Sequence, residues 1–387
     1  MIPVRYNLRS LMVRRTTSTM TALGVALVVM ILFILLGFTT GLRRTVLQAG
    51  TSGAWIVLSR GVTSEPGSYI TREQYEILKS RAEIAADDAG EPLISPEQVT
   101  GFDATSGTAP SNAGFTFLRG VYPIAYQVHR SMRIVSGRWP ARGQAEMVVG
   151  RQLVARFPEL APPHQVRFGR RTWTIVGVFS DNDSARESEV WTDLDVLQQD
   201  IRYANGFASL HLVLKPGTAE SLKRGLTTDA RLKVDLTTEQ EFYAEQSQLA
   251  DQLRAMGLVV AAILAIGAIF GGMNTMYAAV ARRGKEIGVL RALGFSRADV
   301  LLGFVIESVG LAIAGGVVGE LLGLAVASFT GLSSRPMKAG MFIFSFRLSP
   351  ADVTWGLVAA ALIGALGGFL PAWRAARLGV ITSLREA

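Results

Sequence analysis

Hydrophobic and polar positions along this chain are organised on two scales. Four long apolar runs, each near the roughly 20 residues that cross a bilayer, are separated by stretches with the shorter periods of water-facing elements. The runs place transmembrane helices at 20–42, 253–280, 300–330 and 353–373. Between the first two lies a polar segment, 43–252, of about 210 residues, long enough to bury a core of its own. The predicted fold class is a membrane α-helical protein with four transmembrane helices. A large mixed α+β extracytoplasmic domain is expected between helices one and two.

Within that domain, AWIVLS (54–59), RTWTIVGVF (171–179) and ASLHLVLK (208–215) carry the alternation of half-buried strands. TREQYEILKS sets Thr71 three residues before Gln74, the spacing of a capping box, and predicts a helix. GRQLVARF and TAESLKRGL predict two more short helices, and turn-rich stretches at 103–114 and 158–163 mark subdomain edges. Thr238 precedes Glu241 at the same capping spacing, and no proline follows until Pro336. A helix from about 239 to 279 would run roughly 60 Å at 1.5 Å per residue, from the domain through span two. Such a rod would carry a displacement across the membrane. An ordinary span with a separate juxtamembrane helix fits the same periodicity.

Charge then orients the chain. The leading segment 1–19, the 281–299 loop and the 374–387 tail hold twelve basic residues against three acidic ones. The whole chain carries +8, so the large domain and the 331–352 loop are close to neutral. Basic short loops face the cytoplasm. Both termini and the 281–299 loop are therefore expected inside, and the large domain and the 331–352 loop outside, with Arg43 and Arg44 running against the trend. The excess reads as a topology signal aided by anionic lipid, and no nucleic-acid partner is expected.

Catalytic patterns are missing from the sequence. His129, His164 and His211 lie far apart with no acidic partner at ligand spacing, so each is read as a surface or strand residue. No metal site or cofactor is expected. There is no G-x-x-x-x-G-K-[ST] phosphate loop and no G-x-S-x-G elbow. With no cysteine, the large domain must fold without disulfides.

The spans carry small residues at four-residue spacing. Gly267 and Gly271 stand in span two, Gly315, Gly319 and Gly323 in span three, Gly364 and Gly368 in span four. Such spacing lets helix backbones approach closely in lipid. Span three also holds Glu307 and Glu320, acids that either lie near the interfaces beside water and arginines or serve substrate or proton passage.

Between spans two and three lies RRGKEIGVLRALGFSRADVL (282–301). Ile287, Leu290 and Leu293 make an apolar stripe, Arg283, Glu286 and Arg291 supply polar contacts around it, and Gly294 stands where a left-handed helix end wants glycine. This short amphipathic helix either lies on lipid or docks in a groove of a partner.

At these residues the sequence resembles the FtsX-like/MacB-like permease family of ABC transporters. The loop just quoted, ESVGLAIAGGVVG in span three, PAWRAARLGVITSLRE at the end and YNLRSLMVRRTTSTMTALGVALVV at the start carry the likeness, which implies that residues 1–19 form the family's amphipathic entry helix. GRWPARGQAEMVVGRQLVARF, WTIVGVF and ESEVWTDLDVL resemble parts of the family's periplasmic region. The resemblance implies a permease homodimer paired with a separate ATPase dimer, nearest to the DevC type. ATP hydrolysis would then drive motion of the periplasmic domain for export, a type VII-like mechanotransmission. The 281–299 helix would grip the ATPase, with Arg283, Glu286, Ile287, Leu290, Arg291, Leu293 and Gly294 as its coupling residues. A periplasmic adaptor is the usual partner. The 100–130 region and the histidine strands depart from the pattern, so no substrate or adaptor contact carries over. A same-family relay controlling a cell-wall hydrolase, or a membrane receptor whose outer domain binds a ligand, are the alternatives.

Overall fold

The structure, a computed structural model, describes residues 15–49, 53–103, 115–203, 205–246, 248–333, 335–339 and 342–377. Most of the expected leading helix, most of the 103–114 turn and the end of the tail lie outside the described residues. The chain forms two compact units. The first unites residues 1–40, 251–333 and 347–387, and the second unites 41–250 with 334–346.

In chain order, α1 (Arg15–Gln48) is followed by β1 (Trp55–Ser59), β2 (Ile70–Thr71), α2 (Arg72–Lys79), β3 (Ile94–Asp103) and β4 (Phe115–Val121). Then come α3 (Ala125–Val128), β5 (Arg133–Gly137), β6 (Glu146–Gly150), α4 (Arg151–Arg156), β7 (His164–Phe168), β8 (Arg171–Ser180) and β9 (Val190–Asp193). The domain continues through α5 (Leu194–Ile201), β10 (Gly206–Phe207), β11 (Ser209–Leu212), α6 (Ala219–Thr228), β12 (Val234–Thr238) and α7 (Glu239–Gln246). The remaining elements are α8 (Gln248–Arg282), α9 (Gly284–Ala292), α10 (Arg297–Phe329), a hairpin of β13 (Met337–Ala339) and β14 (Phe342–Phe344), and α11 (Pro350–Ala376).

The large unit is built on one ten-stranded mixed sheet, in the order β12-β1-β11-β3-β4-β9-β6-β8-β5, with β7 added to β8. Most pairs are antiparallel, but β4–β9 and β6–β8 are parallel. Its two largest apolar clusters lie against this sheet. One gathers Phe102, Leu118, Met147, Trp173 and Val190, and the other Val57, Ile70, Leu78, Leu210, Leu222 and Leu236. The capping boxes expected at Thr71/Gln74 and Thr238/Glu241 both form: Gln74 N–H donates to Thr71 Oγ1 at 3.2 Å, and Glu241 N–H to Thr238 Oγ1 at 3.1 Å. The turn expected at 158–163 opens with a 3-10 turn, Pro158–Leu160.

One part of the large unit comes from elsewhere in the chain. The β13–β14 hairpin, within the segment expected to be only a loop between spans three and four, inserts Ile343 among Phe102, Trp173 and Leu153, where it is fully buried. Ser188 Oγ donates to the Ile343 carbonyl at 3.1 Å and accepts from its N–H at 2.8 Å. The apolar short strand reads as loop in the sequence because its burial partners lie more than 150 positions away.

Among the described residues, α1, α8, α10 and α11 are the four helices long and apolar enough to cross a membrane. They span Ser18–Gln48, Asp251–Arg282, Arg297–Phe329 and Pro350–Ala376, longer at most ends than the apolar runs. Ser296 and Ser349 cap α10 and α11 with reciprocal Asp299 and Asp352 boxes. The helical run expected from 239 to 279 is present as α7 and α8, on either side of Ser247, which lies outside the described residues.

Candidate coupling surface and a buried charge cluster

The helix between spans two and three forms as α9, and its end follows the glycine rule. Gly294 takes a positive φ of 94°, its N–H donates to Arg291 O, and Phe295 N–H donates to Leu290 O, closing a Schellman turn. Its apolar residues do not share one face as expected. Ile287 is buried with Met276, Val300 and Phe304, and Leu290 is half-buried, but Leu293 is 72% exposed. Val289, passed over in the sequence, is 49% exposed. With Glu286, whose side chain is 52% exposed, Val289 and Leu293 follow i, i+3, i+7 spacing and form the outward face.

What turns the helix this way is an ion pair at its base. Arg283 is buried, and its Nη1 donates to Glu307 Oε2 of α10 at 2.9 Å, with the guanidinium 5.8 Å from the Phe304 ring centre. Glu307 therefore sits beside an arginine, the first of the two settings open to it in the sequence. Arg283 also lies 3.8 Å from Glu286, and Arg291 Nη1 donates to the Phe295 carbonyl.

Glu320 differs. Its Oε1 is buried and has no hydrogen-bond partner among the described residues. It lies where a Cβ on Gly356 of α11 would come within 2.5 Å, so the missing side chain at 356 makes room for the carboxyl.

The glycines divide in the same way. A Cβ on Gly315 would meet the Ala22 carbonyl of α1 at 2.6 Å, one on Gly319 would strike the Ala26 carbonyl, and one on Gly323 would meet Phe33. On α11, Gly364 and Gly368 face Ala312 and Ser308 of α10 at 2.6 and 2.5 Å. Ser308 Oγ donates to the Gly364 carbonyl at 2.7 Å. Among the described residues, Gly267 and Gly271 of α8 instead have nothing within 4 Å. Only 6% of the apolar window of α8 is buried, and Ile263, Ile266 and Phe270 are exposed. The close packing expected at Gly267 and Gly271 is not met among the described residues, although Gly257 of the same helix lies against Leu35.

His164 and His211 lie on strands, as expected, but the reading of the histidines as far apart and without acidic partners needs correction. His164 is half-exposed at the start of β7, but His129 and His211 are fully buried and come together, ring centres 4.9 Å apart, inside the large unit. Antiparallel pairing sets β11 beside β3, and α3 leads His129 in over them. His129 Nε2 is 2.9 Å from Glu97 Oε1, and His211 Nδ1 is 2.6 Å from Glu239 Oε1. His211 Nε2 faces Glu65 at 3.1 Å and Glu97 at 3.6 Å, while His129 Nδ1 lies 3.5 Å from Glu239. Arg119 bonds Glu65, Glu97 and Glu189, each at 2.7 Å. Arg186 pairs with Glu239 at 2.7 Å and Asp181 at 3.2 Å.

Burial alone would raise Glu97, but His211, His129 and Arg119 outweigh it and hold its carboxyl at about 2. Burial would depress His211, yet Glu97, Glu239 and Glu65 push it up to about 10. His129 is held below its ordinary value by burial and by Arg186. Glu97, His129 and His211 each offer a ligand atom within 4.8 Å of the others, the spacing a metal ion would need. Both Glu97 oxygens, however, already receive cationic or imidazole donors, and two guanidiniums stand against the carboxylates. The donor set suits protons better than a divalent cation. Three-residue spacing patterns do not register this cluster, because its members are up to 174 positions apart.

Two families match the sequence: the MacB-like periplasmic core domain over residues 18–228 and the FtsX-like permease C-terminal region over 258–380. A macrolide export ATP-binding/permease protein MacB of Nitrosomonas europaea is 26% identical, covering 98% of this chain and 58% of its own. One of the same name from Nitrobacter winogradskyi is 38% identical over 38% of this chain and 22% of its own. The chain thus spans little more than half the length of the first of these relatives. The crystal structure of the periplasmic region of MacB from Actinobacillus actinomycetemcomitans aligns with TM-score 0.38 at 12% identity, over 51% of this chain and 94% of that one.

Proposed function

We propose, from the premise that this chain belongs to the MacB-like, FtsX-like permease family, that it is the membrane-spanning part of an ABC transporter whose ATP-driven step moves the large domain. The charge asymmetry supports both termini and α9 in the cytoplasm and the large domain outside the inner membrane. ATP hydrolysis is assigned to a domain or subunit beyond these 387 residues, since they hold no phosphate loop. The bare glycine face of α8 supports a homodimer through span two, and the family relation supports a periplasmic adaptor.

The observation that carries the reading is the outward face of α9. Glu286, Val289 and Leu293 are exposed on a helix whose base is clamped by Arg283–Glu307 and whose end is closed by Gly294. An apolar pair beside a carboxylate on a fixed helix suits a groove with a basic rim. Force applied to this face would pass to α8 and α10 through Ile287 and Arg283. The same face turned to lipid would be expected to carry basic residues alone at its edge, without Glu286.

Co-purification with a candidate ABC ATP-binding subunit tests this. Wild type and Leu290→Asp, which perturbs the half-buried side, are compared with Glu286→Arg plus Leu293→Asp. Loss of the ATPase in the double variant alone supports docking. Equal recovery in all three removes the coupling role.

A further inference from the structure

Both segments that lead from the large domain toward spans one and two end on the buried charge cluster. Arg186 Nη1 donates to the Ala49 carbonyl at 2.6 Å, one residue beyond α1, and Nη2 lies 2.7 Å from Glu239, the first residue of α7. One guanidinium thus meets the carbonyl end of one helix, where that helix's dipole favours a cation, and the carboxylate opening the other, which its dipole favours in turn. Glu239 in turn reaches His211 on β11 and His129 beyond α3, and both imidazoles reach Glu97 on β3. Four side chains from four elements close a ring of alternating carboxylate and imidazole.

We infer that the ring of Glu97, His129, Glu239 and His211 is the joint that fixes the start of α7 to the sheet and carries that helix's displacement into the domain, with His211 and Glu239 as its positioning residues. The inference rests on the reading above that an ATP-driven step moves the large domain.

Charge explains why the joint holds. Glu65, Glu97, Glu189, Glu239 and Asp181 are five buried carboxylates facing two guanidiniums, Arg119 and Arg186. The imbalance is eased by the proton that His211 keeps, and every ring nitrogen of both histidines faces a carboxylate within 3.6 Å. His211 meets Glu239 from α7, Glu65 from the turn before β2, Glu97 from β3 and the His129 ring. His129 meets Glu97, Glu239, the Arg186 charge and the edge of Trp191. Unpaired charge in a dry interior is costly, so the ring keeps one arrangement while it is protonated. Phe242 and Tyr243, both buried, set the next turn of α7 beside Arg186. The helix start then moves with the sheet rather than against it.

The sequence holds no cysteine, which makes spin labelling direct. The full chain in lipid nanodiscs is labelled at Glu245→Cys on the exposed side of α7 and Glu76→Cys on α2. The label–label distance distribution is then read from pH 6 to pH 10. A narrow distribution at pH 6–7 that broadens at least twofold toward pH 10, and a His211→Gln variant broad at every pH, are expected. Glu239→Gln should be broad at pH 7 as well. Circular dichroism and the proteolysis pattern of the variants identify any that fail to fold, and wild type alone then decides through its pH profile. Equal widths across the range in wild type, or a narrow His211→Gln at pH 7, would overturn the joint. So would one equivalent of zinc retained by wild type and lost in His129→Gln. The measurement uses no ATP, so its failure is separate from failure of the transporter reading.

Discussion

The two units of this protein are held by opposite means. The large domain keeps nine ionisable side chains buried in one network, whereas the spans rest on backbone contact at glycine and one buried ion pair, Arg283–Glu307. The difference follows from the surroundings. A domain of this size in water can surround charge with enough pairing groups to offset desolvation. In lipid the apolar side chains gain nothing by leaving their solvent, so close approach and dispersion must do the holding. A charge network specifies one geometry and resists sliding. A glycine seam leaves two smooth helices in contact and lets them shift along each other.

Four experiments press on this contrast, beginning with the largest effect. Arg119→Met strips three carboxylates of their donor, and a loss of about 3–5 kcal/mol is expected for a buried network left uncompensated. Denaturant unfolding followed by tryptophan fluorescence reads it, Trp191 lying beside the guanidinium. A change below 1 kcal/mol would mean the network is redundant.

Alkali is the second probe. His211 rises from about 6.5 unfolded to about 10 folded, so its stabilising contribution is complete below pH 6.5 and is lost as pH climbs through 10. Between pH 7 and 9 the domain should lose on the order of 2 kcal/mol. Glu97 acts at the other end, its contribution present above about 4.5 and lost as pH falls toward 2. His129, held low, also weakens the fold below about 6.5. Thermal unfolding across pH should therefore peak near 6.5 and flatten on the alkaline side in His211→Gln.

Third, Gly315→Val forces α10 off the Ala22 carbonyl, and about 1–3 kcal/mol of overpacking is expected. Gly271→Val, with open space around it, should leave the monomer unchanged and lower the dimer fraction seen by light scattering. Equal effects at both sites would erase the distinction between inner and outer glycine faces. Last, Arg138→Ala removes an exposed pair with Glu146 and should leave the melting temperature where it was.

Local rules carried much of this architecture. Thr71 with Gln74 and Thr238 with Glu241 announce helix starts across three residues, and the apolar runs announce the spans. Gly294 announces where α9 stops. The parts that escaped depend on strand order. His211 meets Glu65 across 146 positions only because β11 lies between β1 and β3, and no short-range pattern contains that information. Val289 was hidden for a different reason. Which side of α9 faces outward is decided by Arg283 reaching Glu307, not by the helix's own periodicity.

The insertion of Ile343 makes the large domain a two-piece assembly. A fragment cut at residues 41 and 250 would leave an isoleucine-sized vacancy beside Trp173 and Phe102, with Ser188 facing no partner backbone. Such a fragment is a receptor whose natural ligand is the chain's own hairpin, and a synthetic 335–346 peptide added in trans becomes its complement.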